Sequence, residues 1–325
     1  MSFSPANSDS RFDTHDRDRP PVALIAGPTA SGKSAVALQL AGKTGGVIVN
    51  ADASQVYADL AILSARPDAA DLARAPHRLF GHVDGREAYS AARWAEEAKR
   101  EIAAAHVAGR LPILIGGTGL YLDTLLYGIA PVPDIDPAIR DAIRAMPVEQ
   151  SYTALMLEDP GASARLNAGD TARVARALEV VRSTGKPLAY WQRQREGGIA
   201  GSVSIHAGVV MRPKDELASR AEQRLDVMLS TGAVEEVRLL VGRKLPADRP
   251  VLRALGVREI TAMLAGEMDP AEARASILQQ TLAYQKRQLT WARGRQAGWA
   301  RLDPDTEISL DCLARLNATD RDMIR

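Results

Sequence analysis

Short, wholly apolar runs alternate along this chain with longer stretches whose apolar positions recur every three or four residues. Val22-Ala23-Leu24-Ile25-Ala26 is apolar throughout and ends at Gly27, the pattern of a strand buried on both faces. Residues 33–43 then set Val36, Leu38 and Leu40 among good helix formers and stop at Gly45-Gly46. Val47-Ile48-Val49 predicts a second buried strand, and a long helix is predicted from Ser90, a suitable N-cap, to Val107. Pro112-Ile113-Leu114-Ile115, closed by Gly116-Gly117, predicts a third buried strand. Strands alternating with helices imply parallel βαβ units.

The pattern changes after Gly128. Segments 136–145, 151–158 and 170–184 have helical spacing with no clear strand between them, and Gly197-Gly198 to Gly201-Ser202 reads as a flexible stretch. Residues 205–211 return to a strand pattern, followed by helical segments near 214–231, 233–242, 251–265 and 270–296. The expected organisation is an α/β core over 21–128 and 205–300, interrupted by an all-helical insertion over 129–204. A polar, charge-mixed lead-in over 1–20 is expected to be disordered, and the tail 301–325 carries no readable pattern.

Composition narrows the function. The 46% apolar and 25% charged fractions are those of an ordinary globular protein. Only 14 of the 325 residues are aromatic, which argues against a surface that holds nucleic acid mainly by base stacking. Lys plus Arg is 41 against 40 Asp plus Glu, so any polyanion partner must meet locally clustered charge. Two such clusters exist. Residues 171–195 hold Arg173, Arg176, Arg182, Lys186, Arg193 and Arg195 against Glu179, and 273–302 hold Arg274, Lys286, Arg287, Arg293, Arg295 and Arg301 against no acid. The commonest meaning of such runs is a solvated helix face. Cys312 stands alone, which excludes a disulfide framework or a cysteine zinc site within one chain. No apolar run is long enough to span a membrane, and no signal-peptide pattern opens the chain, so a cytoplasmic protein is expected; a monomer is also expected. His77, His82 and Asp84 are too weak a set to predict a metal cage, and Tyr190-Trp191 beside Leu188 are expected in a core.

The clearest chemistry lies in Gly27-Pro28-Thr29-Ala30-Ser31-Gly32-Lys33-Ser34, a complete G-x-x-x-x-G-K-[ST] loop between a predicted strand and a predicted helix. Glycines let backbone N–H groups surround an anion, the helix N-terminus adds partial positive charge, Lys33 adds a full one, and the Ser34 hydroxyl suits Mg²⁺. The core is therefore expected to be a P-loop NTPase-like parallel sheet flanked by helices. An ordinary NTPase also needs a metal-binding acid after a buried strand. Here Ile113-Leu114-Ile115 leads to Gly116-Gly117-Thr118 instead, while Val47-Ile48-Val49 leads to Asp52. Asp52 could serve a metal or act as a base. Spacing alone leaves a small-molecule P-loop kinase as one reading of this loop.

Several segments together resemble the tRNA dimethylallyltransferases. These are GPTASGKS at 27–34, Asp52-Ala53-Ser54-Gln55-Val56-Tyr57, Gly116-Gly117-Thr118-Gly119-Leu120-Tyr121, Arg176-Ala177-Leu178-Glu179-Val180 and Lys286-Arg287-Gln288-Leu289-Thr290-Trp291. The order holds over about 22–300. There are departures: Ala53 follows the acid where the family has Ser, and Leu60-Ala61-Ile62-Leu63-Ser64-Ala65-Arg66-Pro67 lacks the family's acid at 61 and its Lys at 66.

The resemblance implies transfer of a dimethylallyl group from dimethylallyl diphosphate to N6 of the adenosine at position 37, beside the tRNA anticodon. Gly27 to Ser34 and Arg253 would hold the diphosphate, with Mg²⁺ on Ser34. Lys33, Asp52 and Thr118 would be catalytic, Asp52 taking the N6 proton. Asp52, Ala53, Ser54, Gln55, Thr118, Arg140, Ala172, Arg173, Val174, Ala175, Arg176, Arg258, Lys286 and Arg287 would meet the tRNA, with the insertion on its anticodon stem-loop. By spacing alone, Thr118 serves equally well as the cap of the following helix.

Overall fold

A computed structural model describes residues 19–316; most of the expected lead-in, residues 1–18, lies outside the described residues. The first half of the core runs β1 (Pro21–Ala26), α1 (Lys33–Thr44), β2 (Val47–Asn50), α2 (Ala69–Arg74), β3 (His77–Arg78), α3 (Ala91–Val107), β4 (Pro112–Gly116) and α4 (Gly119–Tyr127). The insertion contributes α5 (Pro137–Ala145), α6 (Val148–Glu158), α7 (Pro160–Ser163), α8 (Thr171–Thr184) and α9 (Leu188–Gln192). The core resumes with β5 (Ser204–Val210), α10 (Lys214–Thr231), α11 (Ala233–Gly242), α12 (Val257–Leu264), α13 (Pro270–Arg295), β6 (Ala300–Leu302) and β7 (Ala314–Leu316).

The strands lie in the order β3-β2-β4-β1-β5-β6, all parallel, with β7 antiparallel along β5. Register is fixed by pairs such as Ala23 with Ile113 and with His206. The apolar runs are central because helices cover both faces of a parallel sheet. Leu24, Ile25, Ile113 and Leu114 have no exposed surface, and burying each such side chain contributes roughly 1.5–3 kcal/mol. Parallel strands send their carboxyl ends to one edge, so Gly27, Asp52 and Gly117 emerge together, where ligands bind in such sheets.

The described residues divide into two compact units, 19–123 with 200–316, and 124–199. The expected insertion bounds, 129–204, are displaced from the second unit by about one helical turn, because α4 carries the chain across the boundary. Inside that unit α5, α6 and α8 pack Ile143, Leu155, Val174 and Leu178 into a small core. One antiparallel bridge, Ile129 with Glu196, closes the unit at its ends, so it is not wholly helical. Tyr190 and Trp191 are half-buried on α9 rather than in a core, and the Trp191 Nε1 donates to Thr184 Oγ1 at 3.2 Å.

Three further expectations are corrected. The tail from 301 joins the core sheet, since β6 and β7 flank β5 end to end; strands of three residues are too short to show alternation. The predicted helix 251–265 is a 3₁₀ turn over Pro250–Arg253 and then α12, broken at Gly256 with φ +90°. Elements α2 and β3 have no counterpart in the predicted pattern.

Candidate active site

The phosphate loop takes its shape from two glycines. Gly27 has φ +149°, and a Cβ there would lie 2.7 Å from the Val210 carbonyl oxygen on β5. Gly32 has φ +96° and caps α1 without a side chain, so the first amides of the helix keep their capacity for an anion. The fully buried Ser31 Oγ has no hydrogen-bond partner among the described residues. Lys33 Nζ donates to the Pro28 carbonyl at 2.8 Å. Burial lowers the Lys33 ammonium to about 8, with Asp52 pulling it up and Arg224 pushing it down. From outside, Arg212 bonds the Ser31 carbonyl at 3.2 Å while gripping Asp305 and Glu216.

Asp52 is positioned from three sides. The fully buried Trp94 on α3 donates Nε1 to the Asn50 carbonyl at 2.8 Å and stacks on Tyr121 with ring centroids 4.6 Å apart. Asn50 accepts from the Asp52 amide at 2.9 Å and donates to the Asp52 and Leu79 carbonyls, each at 3.0 Å. Asp52 Oδ1 accepts from the Ser54 amide at 2.9 Å. The Thr118 hydroxyl accepts from the Ala53 amide at 3.0 Å and so ties the end of β4 to the Asp52 loop.

Helices α10 and α13 complete the site. Gln288 accepts from the Thr29 amide at 2.8 Å and donates to the Gly117 carbonyl at 3.2 Å; a Cβ on Gly117 would lie 1.9 Å from its Nε2. Gln285 donates to the carbonyls of Thr29 and Leu217. Arg224 Nη1 lies 3.5 Å from Thr29 Oγ1, and Arg220 Nε donates to the Ala30 carbonyl at 3.0 Å. Burial lowers the Arg224 guanidinium pKa, with Asp52 opposing. Burial pushes the Tyr284 phenol up to about 12, and Asp52 adds to this, while hydrogen bonds from Thr118 and Gln288 oppose it.

The phosphate loop, the Asp52 segment and helices α10 and α13 border a cavity of about 120 Å³. Its polar lining includes Lys33, Ser34, Asp52, Arg224 and Tyr284; Leu63, Ile115, Leu225, Met228, Leu255 and Ile277 supply apolar walls. Two cationic side chains and loop amides suit a diphosphate, the apolar walls suit a short hydrocarbon, and Asp52 is the carboxylate of the lining. Ser34 presents its hydroxyl from the first turn of α1, the position that fits Mg²⁺ bound together with phosphate oxygens. No group of three or more His, Cys, Asp or Glu suited to a metal occurs among the described residues.

Of the expected residues, Thr29, Ala30, Lys33, Ser34, Asp52, Ser54 and Gln55 line the cavity, and Thr118 touches its rim through Tyr284 and Ala53. Arg253 does not line it: the residue is exposed, and its guanidinium donates to the Asp248 carbonyl at 3.1 Å. Arg258 lines a separate groove with Lys244 and Glu259. Lys286 and Arg287 are exposed on α13, the Arg287 guanidinium 5.4 Å from the Tyr284 ring centre.

In the insertion, Arg140 is half-buried on α5, while Ala172, Arg173 and Arg176 are exposed on α8. Val174 is fully buried and Ala175 packs against the same core, because 172–176 spans more than one turn of helix and its residues cannot all face solvent. The basic runs are also partly neutralised. Arg182 chelates Glu158, Arg274 holds Asp226 and Glu222, and Arg144 and Arg176 both reach the buried Glu179. Asn50, Trp94, Arg224, Tyr284, Gln285 and Gln288 were not expected at the site. The available signals were Arg220 and Arg224 at i, i+4 and Gln285 and Gln288 at i, i+3, each pair sharing a helix face.

A glycine loop between β1 and α1, at the carboxyl edge of a parallel sheet beside a cationic cavity, defines a P-loop α/β protein that handles a phosphorylated ligand. A family model described as IPP transferase matches residues 55–295, and the chain belongs to that family. It is 59% identical to a tRNA dimethylallyltransferase of Sphingopyxis alaskensis over 86% of this chain and 92% of the relative. It is 53% identical to that of Zymomonas mobilis over 88% of this chain and 92% of the relative. Among solved structures, a eukaryotic dimethylallyltransferase acting on tRNA is 27% identical with a TM-score of 0.72, covering 84% of this chain and 70% of that one.

Proposed function

We propose that this chain is a tRNA dimethylallyltransferase, moving the dimethylallyl group of dimethylallyl diphosphate to N6 of adenosine 37 and releasing diphosphate. The observation that carries this reading is the cavity in which Lys33, Arg224, an apolar wall and Asp52 meet. The bond from the allylic C1 to the diphosphate oxygen breaks and its electron pair leaves with the diphosphate. The N6 lone pair forms the new bond to C1, and the N6 proton passes to Asp52. Lys33, Arg224 and the loop amides stabilise the charge that develops on the leaving group; one such donor is worth about 3 kcal/mol. Ser34 would hold Mg²⁺, which would supply further neutralisation of the leaving diphosphate. Asn50 and Thr118 keep the Asp52 loop in place while the base arrives. A kinase reading has less support, because β4 ends in Gly116-Gly117-Thr118 without a metal-binding acid.

An adenine in a stem-loop leaves its stack to be reached. Arg140, Arg173, Arg176, Arg258, Lys286 and Arg287 are the proposed grips on RNA phosphates, and Arg253 is better suited to RNA than to the diphosphate. We propose that the chain acts on tRNA in the cytoplasm as a monomer; no helix among the described residues is long and apolar enough to cross a membrane. Arg173 is 77% exposed and only loosely paired with Asp170 at 3.5 Å. Arg173→Ala is therefore expected to weaken tRNA binding and to reduce its salt slope by about one, with donor affinity unchanged. Filter binding across a salt series checks this; an unaltered slope would assign Arg173 to structure.

The function itself is tested by incubating the protein with dimethylallyl diphosphate, Mg²⁺ and either tRNA or AMP, then analysing nucleosides by mass spectrometry. Modified adenosine is expected from tRNA alone. Product from AMP alone, or phosphate released from ATP without RNA, would reject the reading.

A further inference from the structure

The wall of the cavity formed by Leu63, Ser64 and Ala65 belongs to a turn with no regular structure of its own. Two side chains hold that turn. Gln55 donates its Nε2 to the carbonyls of Ser64 and Ala65, at 3.0 and 2.8 Å. Glu236, in the first turn of α11, holds the opposite end. Its Oε1 accepts from the amides of Ala61 and Ile62 at 2.7 and 2.8 Å, and its Oε2 from those of Ile62 and Leu63 at 3.0 and 2.9 Å. Three consecutive backbone N–H groups thus converge on one carboxylate, the arrangement of an anion nest filled by a side chain of the same molecule. Hydrogen bonds to an ionised acceptor are about twice as strong as neutral ones. The Ser64 hydroxyl closes the turn on the Leu60 carbonyl at 2.5 Å, and Ala65 sits in the left-handed region at φ +51°. Backbone bonds from the Ala65 amide to the Ile62 carbonyl and from the Arg66 amide to the Ala61 carbonyl, both 2.9 Å, close the turn on itself, and the bonds to Glu236 and from Gln55 tie it to the rest of the fold.

We propose that Glu236 is a positioning residue that sets the prenyl-chain length the enzyme accepts, by fixing Leu63 against the donor's hydrocarbon. This rests on the donor reading above. Glu236 does not line the cavity; it acts through the three amides and the side chain that follows them. With the carboxylate present, Leu63 is held in the wall that also contains Leu255 and Ile277, and on this proposal that wall limits the length of the tail admitted. Without it, the amides of 61–63 lose their common acceptor, the turn relaxes, and Leu63 leaves room for another isoprene unit.

The experiment measures kcat and KM with tRNA and two donors, dimethylallyl diphosphate and geranyl diphosphate, for the wild-type protein and the Glu236→Ala, Glu236→Gln and Leu63→Ala variants. In Glu236→Ala, KM for dimethylallyl diphosphate is expected to rise roughly tenfold or more. The ratio of kcat/KM for geranyl over dimethylallyl is expected to rise with it. Glu236→Gln keeps one acceptor oxygen for the turn and is expected to restore part of the original ratio. Leu63→Ala enlarges the same wall without touching the anchor and is expected to raise the ratio by itself, which keeps the proposal testable should Glu236→Ala not fold. An equal fall in kcat/KM for both donors in Glu236→Ala, or an unchanged ratio in Leu63→Ala, would overturn it. Wild-type protein that uses neither donor with tRNA would instead overturn the function on which it rests.

Discussion

Asp52→Ala is expected to lower turnover by at least about a hundredfold while tRNA affinity stays the same. The adenine N6 lone pair is delocalised into the ring, so the amine is a poor nucleophile until its proton has somewhere to go. Asp52 is the carboxylate of the cavity lining, at the edge of the sheet that carries the phosphate loop. Asn50, Trp94 and Thr118 build the loop around it through backbone atoms, and the Asp52 backbone keeps those bonds when its side chain is shortened. The bond that Oδ1 accepts from the Ser54 amide is lost. Single-turnover assays with saturating tRNA, together with direct tRNA binding, separate the two effects. Unchanged turnover would remove Asp52 from the chemistry.

The second large effect is expected at Lys33, and it carries a pH signature. Burial lowers its ammonium to about 8, so the free protein holds a cation under the loop below that pH and loses it above. Positive charge is what the diphosphate needs, so kcat/KM for the donor is expected to fall as pH rises through about 8. Free-enzyme ionisations appear in that parameter, whereas bound diphosphate favours the protonated amine and keeps kcat flatter. Lys33→Gln is expected to lower kcat/KM by about a hundredfold at neutral pH, in line with roughly 3 kcal/mol for one donor to the leaving group, and to abolish the alkaline limb. Lys33→Arg keeps its charge across the range and is expected to abolish the limb too. A limb that persisted in Lys33→Arg would assign it to another group.

The sequence carried the site where backbone geometry dictates residue type. Gly27 and Gly32 are required by positive φ, so the phosphate loop is written in fixed spacings. Asp52 stood out as an acid just past a wholly apolar strand. Arg224 and Glu236 did not stand out, because helices α10 and α11 are rich in charge and an inward Arg or Glu has the same spacing as a solvated one. Which charged residue turns inward is decided by the packing of α10, α11 and α13 around distant loops, which local periodicity does not contain. Val174 shows the converse error. A run of five residues assigned to RNA as a block must place at least one inside the helix bundle, and the bundle took Val174. The terminal strands β6 and β7 were hidden by shortness alone; their place along β5 comes from pairing, not from pattern.

The most direct test is a crystal structure of this protein with a tRNA anticodon stem-loop and a non-hydrolysable thio-analogue of dimethylallyl diphosphate. The diphosphate is expected on the amides of residues 27–34 with Lys33 and Arg224 against it, and an Asp52 carboxylate oxygen within roughly 2.6–3.2 Å of N6 of adenine 37. A diphosphate bound elsewhere, or adenine 37 seated out of reach of Asp52, would contradict the shared cavity on which the chemistry depends.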